Sequence, residues 1–384
     1  MMSAKIDLVI INRGFNSQNG ELISYAEMAS EKKNVSVLAQ SNIDLAKKLK
    51  NEGSETNVKI DTCRSYSNSA STILSRIADA IFFMVWVFIK LIQIKPLKIY
   101  IATDPPIIVP FIVAVYSRLT GAQFFYHVQD IHPEIYNLLY PLNPVIRKTL
   151  QKIDNFTLKN AEAIITLTIE MKKYIEKRSN TKRSIYVIPN PGLATKYVKN
   201  REHDIIFCGN AGRLNHISII LEAIDKYIER GGQMNFTFAG GGIYVPAILE
   251  ASKNTYKIRY EGKIGVQEAT ELVSQHKWAF LPILDEATKY AFPSKSSTYV
   301  QCRTPILAIC GKNNIVARWV GANNVGIVCE PDLGKLVDCL FDIEKLSFNK
   351  NFDQKILNEL GYSRFCEILN DVIFSDHIGK NGFL

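Results

Sequence analysis

The sequence predicts an α/β fold with two doubly wound parallel sheets. Three observations support this prediction: apolar strands alternate with helical segments, the alternation stops at one polar linker, and it then restarts in the same form. Strands that alternate with helices favour a parallel sheet with helices on both faces. The 384 residues also exceed one ordinary compact core, so we expect two domains.

The first half of the chain begins with a predicted strand and shows a regular alternation from Lys98. A strand is predicted at Ile6–Ile11, where a signal peptide would carry a basic segment and a longer apolar run. From Lys98 the chain reads as a strand, a turn and a helical run, which Gly121 ends before the strand AQFFYHV. The pattern continues to Ile188, so the first domain is predicted to cover residues 1–190.

A polar linker with the sequence IPNPGLATKYVKNREHD begins at Ile188. It is rich in Pro, Gly, Asn and charged residues and shows no apolar period. After it the alternation resumes, which predicts a second domain over residues 204–355. Residues 356–384 are predicted to be helical, and their return to the first domain is left open. Two such lobes would leave a cleft between the carboxyl ends of their strands, and this cleft is the predicted site.

The composition indicates a folded, basic protein with an anionic partner. Apolar residues make up 47% of the chain, and 46 Lys and Arg face 37 Asp and Glu, for a formal net charge of +9. This balance suits a phosphate, a nucleotide or an anionic membrane surface, and we expect no nucleic-acid partner. The seven cysteines are odd in number and form no C-x-x-C pair, which argues against a disulfide framework and for the cytoplasm.

The segment Ile77–Ile94 is unusually apolar, with an uninterrupted apolar core over Ala80–Ile89. Crossing a bilayer takes about 20 apolar residues, so a spanning helix is disfavoured. An interfacial helix fits better, although a buried core helix remains an alternative. In the interfacial interpretation the exposed aromatics and the flanking lysines would meet anionic lipid: Phe82, Phe83, Trp86, Phe88, Lys90, Lys95 and Lys98.

Three turns in the second half are rich in glycines or hydroxyls, and two of them also carry a cation. The first is FCGNAGR, a G-x-x-G-R turn between a strand and a helix, and the second is FAGGG. Glycines let a phosphate or sugar approach the backbone, and a helix start presents free amides. The third, FPSKSS, places hydroxyls and a lysine at a helix start, although plain turns and a simple N-cap would look the same. The candidate donor-binding residues are Gly209, Asn210, Gly212, Arg213, Gly240, Gly241, Gly242, Ser294, Lys295 and Ser296.

Two polar loops in the first half supply candidate groups for an acceptor. The segment FFYHVQDIHPE follows a predicted strand and contains His127, Asp130, His132 and Glu134. Such groups can orient or deprotonate a hydroxyl, whereas their spacing matches no standard zinc site. The loop RGFNSQNG, bracketed by Gly14 and Gly20, would face the same cleft and would suit an acceptor or the transferred group of the donor. Ordinary solvated loops and a surface histidine remain the alternative interpretation.

Seven segments in this order resemble the bacterial glycosyltransferases of family 4, which have the two-lobed GT-B fold. The segments are ATDPP, HVQDIHPE, VIPNP, FCGNAGR, FAGGG, YEGKI and AFPSKSSTYVQCRTPIL. The resemblance covers nearly the whole chain. It is closest to the subgroup that builds O-antigen, capsule or exopolysaccharide repeat units on a polyprenyl-diphosphate lipid.

The resemblance implies a retaining transfer of a hexosyl or N-acetylhexosaminyl group without metal or cofactor. The donor would be a UDP-sugar, with GDP- and dTDP-sugars as alternatives, and the acceptor a lipid-linked saccharide at the inner face of the cell membrane. Arg213 and Lys295 would neutralise the leaving diphosphate, and Asp130 or His127 would orient the acceptor hydroxyl. The resemblance adds the donor residues Gly262, Lys263 and Thr298. It places the acceptor on the first lobe, where the candidate acceptor residues are Gly14, Asn19, Gly20 and Glu134.

Two departures from the family pattern keep other functions open. The chain has LNHIS where relatives usually carry a lysine, and Thr298 stands where a carboxylate should bind the ribose. Two alternatives therefore remain. One is a catalytically silent nucleotide-sugar-binding partner in a polysaccharide assembly complex, and the other is a nucleotide-sugar 2-epimerase.

Overall fold

The computed structural model describes residues 5–14, 20–45, 47, 58–67, 71–196, 198–346 and 352–375. The chain divides into two compact units. Unit 1 comprises Met1–Pro189 with Phe365–Leu384, and unit 2 comprises Asn190–Arg364. Each unit has one parallel sheet whose strands alternate in sequence with helices, so the predicted fold class is confirmed.

Unit 1 contains, within the described residues, a seven-stranded parallel sheet. Its strands are β1 Leu8–Ile11, β2 Val35–Gln40, β3 Lys59–Cys63, β4 Lys98–Ala102, β5 Gln123–Val128, β6 Ala163–Thr166 and β7 Ser184–Val187. Its helices are α1 Gly20–Ser30, α2 Ile73–Ile94, α3 Ile108–Thr120, α4 Glu134–Leu139, α5 Pro144–Asn160, α6 Ile169–Ser179 and, from the end of the chain, α14 Tyr362–Phe374. The strand order is β3-β2-β1-β4-β5-β6-β7.

The core of unit 1 includes the last described helix. Phe365, Leu369 and Ile373 of α14 are buried in one cluster with Leu8 and Tyr100 of the sheet. The Lys98 ammonium also donates to the Ile373 carbonyl at 2.7 Å. Burying each large apolar side chain contributes about 2 kcal/mol, so α14 is an integral part of this unit.

Helix α2 begins four residues earlier than the predicted segment and has two different faces. Phe83, Val87 and Leu91 are fully buried at a spacing of four residues, which is one turn of an α-helix. The opposite face exposes a stripe of apolar side chains: Leu74, Ile77, Ile81, Val85, Ile89 and Ile92. The expectation that all four aromatics are exposed is wrong. Phe82 is exposed, Phe83 lies in the core, and Trp86 and Phe88 are partly buried.

The inner face of α2 is also tied to the sheet by a buried carboxylate. Asp79 is 3% exposed and accepts hydrogen bonds from Arg13 Nη2 at 2.6 Å, Gln40 Nε2 at 2.8 Å, Ser67 Oγ at 2.7 Å and the Tyr66 amide at 3.1 Å. Burial opposes its ionisation, but these donors together hold the pKa of Asp79 below its ordinary value. Among the described residues, one segment, Leu74–Ile94, has the length and apolar composition to cross a membrane.

Unit 2 contains, in the part of it that is described, a six-stranded parallel sheet. Its strands are β8 His203–Cys208, β9 Phe236–Ala239, β10 Ile258–Tyr260, β11 His276–Pro282, β12 Ile306–Ile309 and β13 Gly326–Cys329. Its helices are α7 Ile217–Glu229, α8 Val245–Asn254, α9 Val266–Ser274, α10 Lys295–Gln301, α11 Ile315–Ala322, α12 Leu333–Lys345 and α13 Gln354–Glu359. The strand order is β10-β9-β8-β11-β12-β13, and the apolar faces of α7 and α12 pack on it.

Candidate donor and acceptor sites

The strand order of each sheet marks where a ligand would bind. In unit 1 the order reverses between β1 and β4, and in unit 2 it reverses between β8 and β11. Loops at the carboxyl ends of such neighbouring strands diverge and leave a crevice, which is the usual ligand site of doubly wound sheets. Gly14 and Asp104 follow β1 and β4, whereas Gly209 follows β8.

Three turns at the carboxyl edge of unit 2 are joined to one another by their backbones. The Gly209 amide donates to the Ala239 carbonyl at 2.8 Å, and the Gly240 amide donates to the Gly262 carbonyl at 2.7 Å. The turns after β8, β9 and β10 therefore form one continuous surface. The predicted donor residues of the first two motifs, together with Gly262, lie on it.

Close packing between these turns explains two of the predicted glycines. Gly240 and Gly242 have φ values of +118° and +128°, and a Cβ at either position would overlap a carbonyl group, of Gly209 and of Ala211 respectively. Side chains cannot be placed there, whether or not a ligand binds. A Cβ on Gly241, by contrast, would meet no atom within 4 Å. Gly241 is thus the glycine of this motif that leaves backbone open for a ligand to approach.

Lys295 lies against the β8 turn, although it is far from that turn in the sequence. A Cβ at Gly209, where φ is +141°, would overlap the Lys295 side chain, and the Lys295 ammonium lies 5.0 Å from the centre of the Phe207 ring. Burial lowers the pKa of Lys295 to about 8 because it disfavours the charged form. A partly desolvated ammonium beside a glycine turn is well suited to bind a phosphate, which would replace its lost hydration.

The remaining donor candidates differ in accessibility. Ser296 is fully buried and its hydroxyl donates to the Pro293 carbonyl at 2.8 Å, so the prediction that Ser296 binds a donor is not supported. Its hydroxyl is used to close the first turn of α10, a helix of only seven residues. Exposed or partly exposed candidates are Asn210, Gly212, Arg213, Lys263, Ser294 and Thr298.

Asp130 stands at the carboxyl edge of unit 1, two residues beyond β5. Its side chain is exposed and makes no hydrogen bond to any described residue, while its amide donates to Thr103 Oγ1 at 3.4 Å. The surrounding protein partly desolvates the carboxylate and raises its pKa to about 6. Such a group can accept a hydrogen bond from a sugar hydroxyl near neutral pH.

Asp104, on the neighbouring strand loop, is a second carboxylate at this edge. Its main-chain carbonyl accepts a hydrogen bond from the Arg13 amide at 3.2 Å. Desolvation raises the pKa of Asp104 despite the nearby Arg13. Sequence reasoning missed this residue, although an acidic residue two positions after a buried strand was the available signal. Gly14 directly follows Arg13 and therefore lies near this acid, and Asn19 lies outside the described residues.

His127 is not accessible to an acceptor, contrary to its predicted role. The strand β5 extends through Val128, so His127 is still part of the sheet rather than of the loop. It is fully buried against Phe365, and its Nδ1 shares a hydrogen bond of 2.6 Å with the Tyr100 hydroxyl. Burial lowers the pKa of His127 to about 3, so the ring is neutral at physiological pH.

The Glu134 carboxylate is likewise buried and hydrogen-bonded to other protein side chains. It is 6% exposed, and its two carboxylate oxygens accept hydrogen bonds from Arg178, Gln151 and Tyr174, each at 2.9 Å. The acceptor-binding role predicted for Glu134 is therefore not supported. Gly20, the last acceptor candidate, begins α1, and the Glu21 carboxyl beside it has its pKa raised to about 7 by burial.

Comparisons with known proteins identify the architecture. No protein-family model matches the sequence, and no curated protein matches it either. Among solved structures, sucrose-phosphate synthase from Thermosynechococcus elongatus aligns with a TM-score of 0.69 at 12% identity, over 96% of this chain and 98% of that one. A glycosyltransferase from Rickettsia africae ESF-5 aligns with a TM-score of 0.65 at 13% identity, over 98% and 100%. This chain has the GT-B fold.

A third GT-B neighbour shows how widely the fold is used. A UDP-N-acetylglucosamine 2-epimerase, described as putative, from Listeria monocytogenes aligns with a TM-score of 0.64 at 11% identity, over 99% of this chain and 100% of that one. Likeness at such identities establishes the GT-B fold alone, since one fold hosts many reactions. Within the described residues, no group of three or more His, Cys, Asp or Glu is placed to hold a metal ion.

Proposed function

We propose that this GT-B protein is a glycosyltransferase that moves a sugar from a nucleotide-sugar to a saccharide acceptor. The observation that carries this proposal is the position of Lys295 against the glycine turn of β8. A GT-B chain that places a desolvated cation beside such a turn has the features of a diphosphate site. The resemblance of seven ordered segments to family 4 glycosyltransferases supports the same function.

In the proposed reaction, the bond between the anomeric carbon and the donor diphosphate breaks, and an acceptor hydroxyl forms the new glycosidic bond. The hydroxyl proton passes to the departing diphosphate, and the anomeric configuration is retained. Lys295 and Arg213 would stabilise the negative charge that grows on the diphosphate, each by about 3 kcal/mol. Asp130 would orient the hydroxyl, and no step requires a metal.

The donor we propose is a UDP-sugar, with a hexosyl or N-acetylhexosaminyl group. The name of the Listeria neighbour includes UDP-N-acetylglucosamine, which is consistent with this nucleotide but belongs to that protein. Thr298 supplies a hydroxyl, not a carboxylate, near the start of α10. We therefore expect weaker ribose recognition than in family members that carry the acid, because a neutral hydroxyl is a weaker acceptor.

We further propose a lipid-linked acceptor and a peripheral position on the inner face of the cell membrane. The exposed stripe of α2 consists of apolar side chains, and the exposed Arg76 and Lys95 lie near the two ends of this helix. A helix of this kind binds the interface of an anionic bilayer through its apolar face. Because Asp79 ties the opposite face to the sheet, the helix can lie on a bilayer without leaving unit 1.

Product formation tests the catalytic proposal. The protein is incubated with UDP-, GDP- or dTDP-sugars and a synthetic lipid-diphosphate saccharide, and products are identified by mass spectrometry and by the anomeric NMR coupling. Lys295→Met serves as the inactive variant, and Lys253→Met, at an exposed position of α8, as its matched control. We expect a new glycosidic bond that keeps the anomeric configuration of the donor sugar. Binding without turnover would indicate a silent partner, and an altered donor sugar without acceptor would indicate an epimerase.

Liposome flotation tests the membrane proposal. A variant with Ile81, Val85 and Ile89 replaced by Ser should lose binding to vesicles that contain anionic lipid while it keeps donor binding. Phe83→Ser is the contrasting variant, because Phe83 is buried and its loss should lower stability. Unchanged flotation of the triple variant would refute the membrane contact.

A further inference from the structure

Arg178, in the last turn of α6, lies directly against the segment that carries Asp130. Its guanidinium Nη1 donates to the His132 carbonyl and to Glu134 Oε2, both at 2.9 Å. Nη2 pairs with Asp154, and Nε donates to Asn155 Oδ1 at 3.1 Å. The side chain is 8% exposed, and each of its three nitrogens donates to a protein group.

The partners of Arg178 are themselves held by other elements. Glu134 Oε1 accepts from Gln151 of α5 and Tyr174 of α6, and Asp154 Oδ1 accepts from the Tyr126 hydroxyl of β5 at 3.1 Å. The side chains of Glu134 and Asp154 are 6% and 5% exposed. One buried network therefore joins α4, α5, α6 and the strand that leads to Asp130.

A network of this kind is a weak source of stability. Removing two acids and one cation from water costs about as much as their attraction returns, and apolar residues of the same volume often stabilise a fold better. What the network does provide is fixed geometry, because a guanidinium fork accepts only a narrow range of partner positions. That geometry includes a main-chain carbonyl only two residues beyond Asp130.

We infer that Arg178 is a positioning residue for Asp130. It donates to the His132 carbonyl, and Thr103 Oγ1 accepts a hydrogen bond from the Asp130 amide. The Asp130 carboxylate makes no hydrogen bond to the described residues, so among them its direction is set through its backbone. This inference rests on the proposed function, in which Asp130 orients the acceptor hydroxyl.

This inference is tested by measuring how much donor sugar is transferred to the acceptor and how much is hydrolysed by water. Glycosyltransferases can release the donor sugar to water, and the ratio of transfer to hydrolysis does not depend on how much protein is folded. We expect Arg178→Lys to lower this ratio about 10- to 100-fold, since small misplacements of an orienting group have effects of this size. The matched control is Arg183→Lys, an exposed arginine whose ion pair with Glu162 spans 3.9 Å.

A double-mutant cycle separates positioning from general stability. If Arg178 acts through Asp130, Arg178→Lys should change the ratio less than twofold in an Asp130→Asn background, because coupled residues are not additive. Tyr174→Phe removes the hydrogen bond from the Tyr174 hydroxyl to Glu134. It replaces Arg178→Lys as the test variant if Arg178→Lys does not fold. It should lower the ratio less than Arg178→Lys and in the same direction.

Three outcomes are informative. An unchanged ratio in a folded Arg178→Lys or Tyr174→Phe variant would overturn the positioning role, as would additive effects in the cycle. An unchanged ratio includes the case in which transfer and hydrolysis fall equally, which indicates a structural role alone. If the wild-type protein transfers no sugar to any acceptor, the proposed function itself fails, and the inference fails with it.

Discussion

The carboxyl edges of the two sheets differ in chemistry although the sheets share a topology. The edge of unit 1 carries Asp104 and Asp130 on neighbouring strand loops, whereas the edge of unit 2 carries tightly packed glycine turns and Lys295. In both places partial desolvation shifts the pKa towards the neutral form, upward for the acids and downward for the lysine. The comparison teaches that the doubly wound sheet fixes where loops diverge, while a few side chains decide what each edge can bind.

The largest expected effect is a loss of folding stability when a packed glycine of unit 2 is replaced. The edge of unit 1 is instead characterised by its two acids. Gly240→Ala places a methyl group on the Gly209 carbonyl at a φ of +118°, so it should destabilise the fold by about 3 kcal/mol or more. Gly241→Ala is the matched control and should change stability by less than about 1 kcal/mol. Urea unfolding measures both, and equal stabilities would show that the turns do not need this packing.

The cations of unit 2 should control affinity for the donor. Lys295→Met and Arg213→Gln are each expected to weaken binding of UDP more than tenfold, because a charge-assisted contact to phosphate is lost. Isothermal titration with UDP is the measurement, and Asp130→Asn, at the edge of unit 1, should leave the affinity unchanged. Wild-type affinity in Lys295→Met would remove the phosphate site from unit 2.

The lowered pKa of Lys295 predicts a pH dependence of the same binding. The ammonium is charged below its pKa of about 8 and neutral above it, so affinity for UDP should fall as the pH rises from 7.5 to 9.5. The fall should be at most about tenfold per pH unit, and Lys295→Met should abolish it. A flat profile in the wild-type protein would contradict the assignment of Lys295 to the phosphate.

The smallest effect should come from Asp130 in unit 1. Its folded-state pKa of about 6 exceeds the ordinary value, so the folded state binds more protons than the unfolded state between about pH 4 and 6. Stability contributed by this group is present below that window and is lost as the pH rises through it. Asp130→Asn should therefore be slightly more stable than wild type at pH 8 but not at pH 4. Because the carboxylate is exposed, the difference should be small.

Some predictions from sequence failed for a common reason. His127 and Glu134 lie in a segment whose residue types suggest a polar loop. However, β5 continues through His127, and the Glu134 carboxylate accepts a hydrogen bond from Arg178. Phe83 was expected to share the exposure of Phe82, but the two side chains lie on different faces of α2. For His127 and Glu134 the partners, Tyr100 and Arg178, lie on other segments of the chain, and no local pattern reports them. Phe83 differs, because its spacing of four residues from Val87 was a local signal of the buried face.

The sequence by itself determined the two doubly wound sheets, because apolar periodicity and glycine turns are local properties that propagate along the chain. It also located the glycine turns and the loop of Asp130. Tertiary structure alone decided which members of each motif remain accessible, placed Lys295 beside Gly209, and added Asp104 and Arg178. Accessibility, desolvation and hydrogen-bond partners depend on segments that meet only on folding, so they are not written in any one stretch of residues.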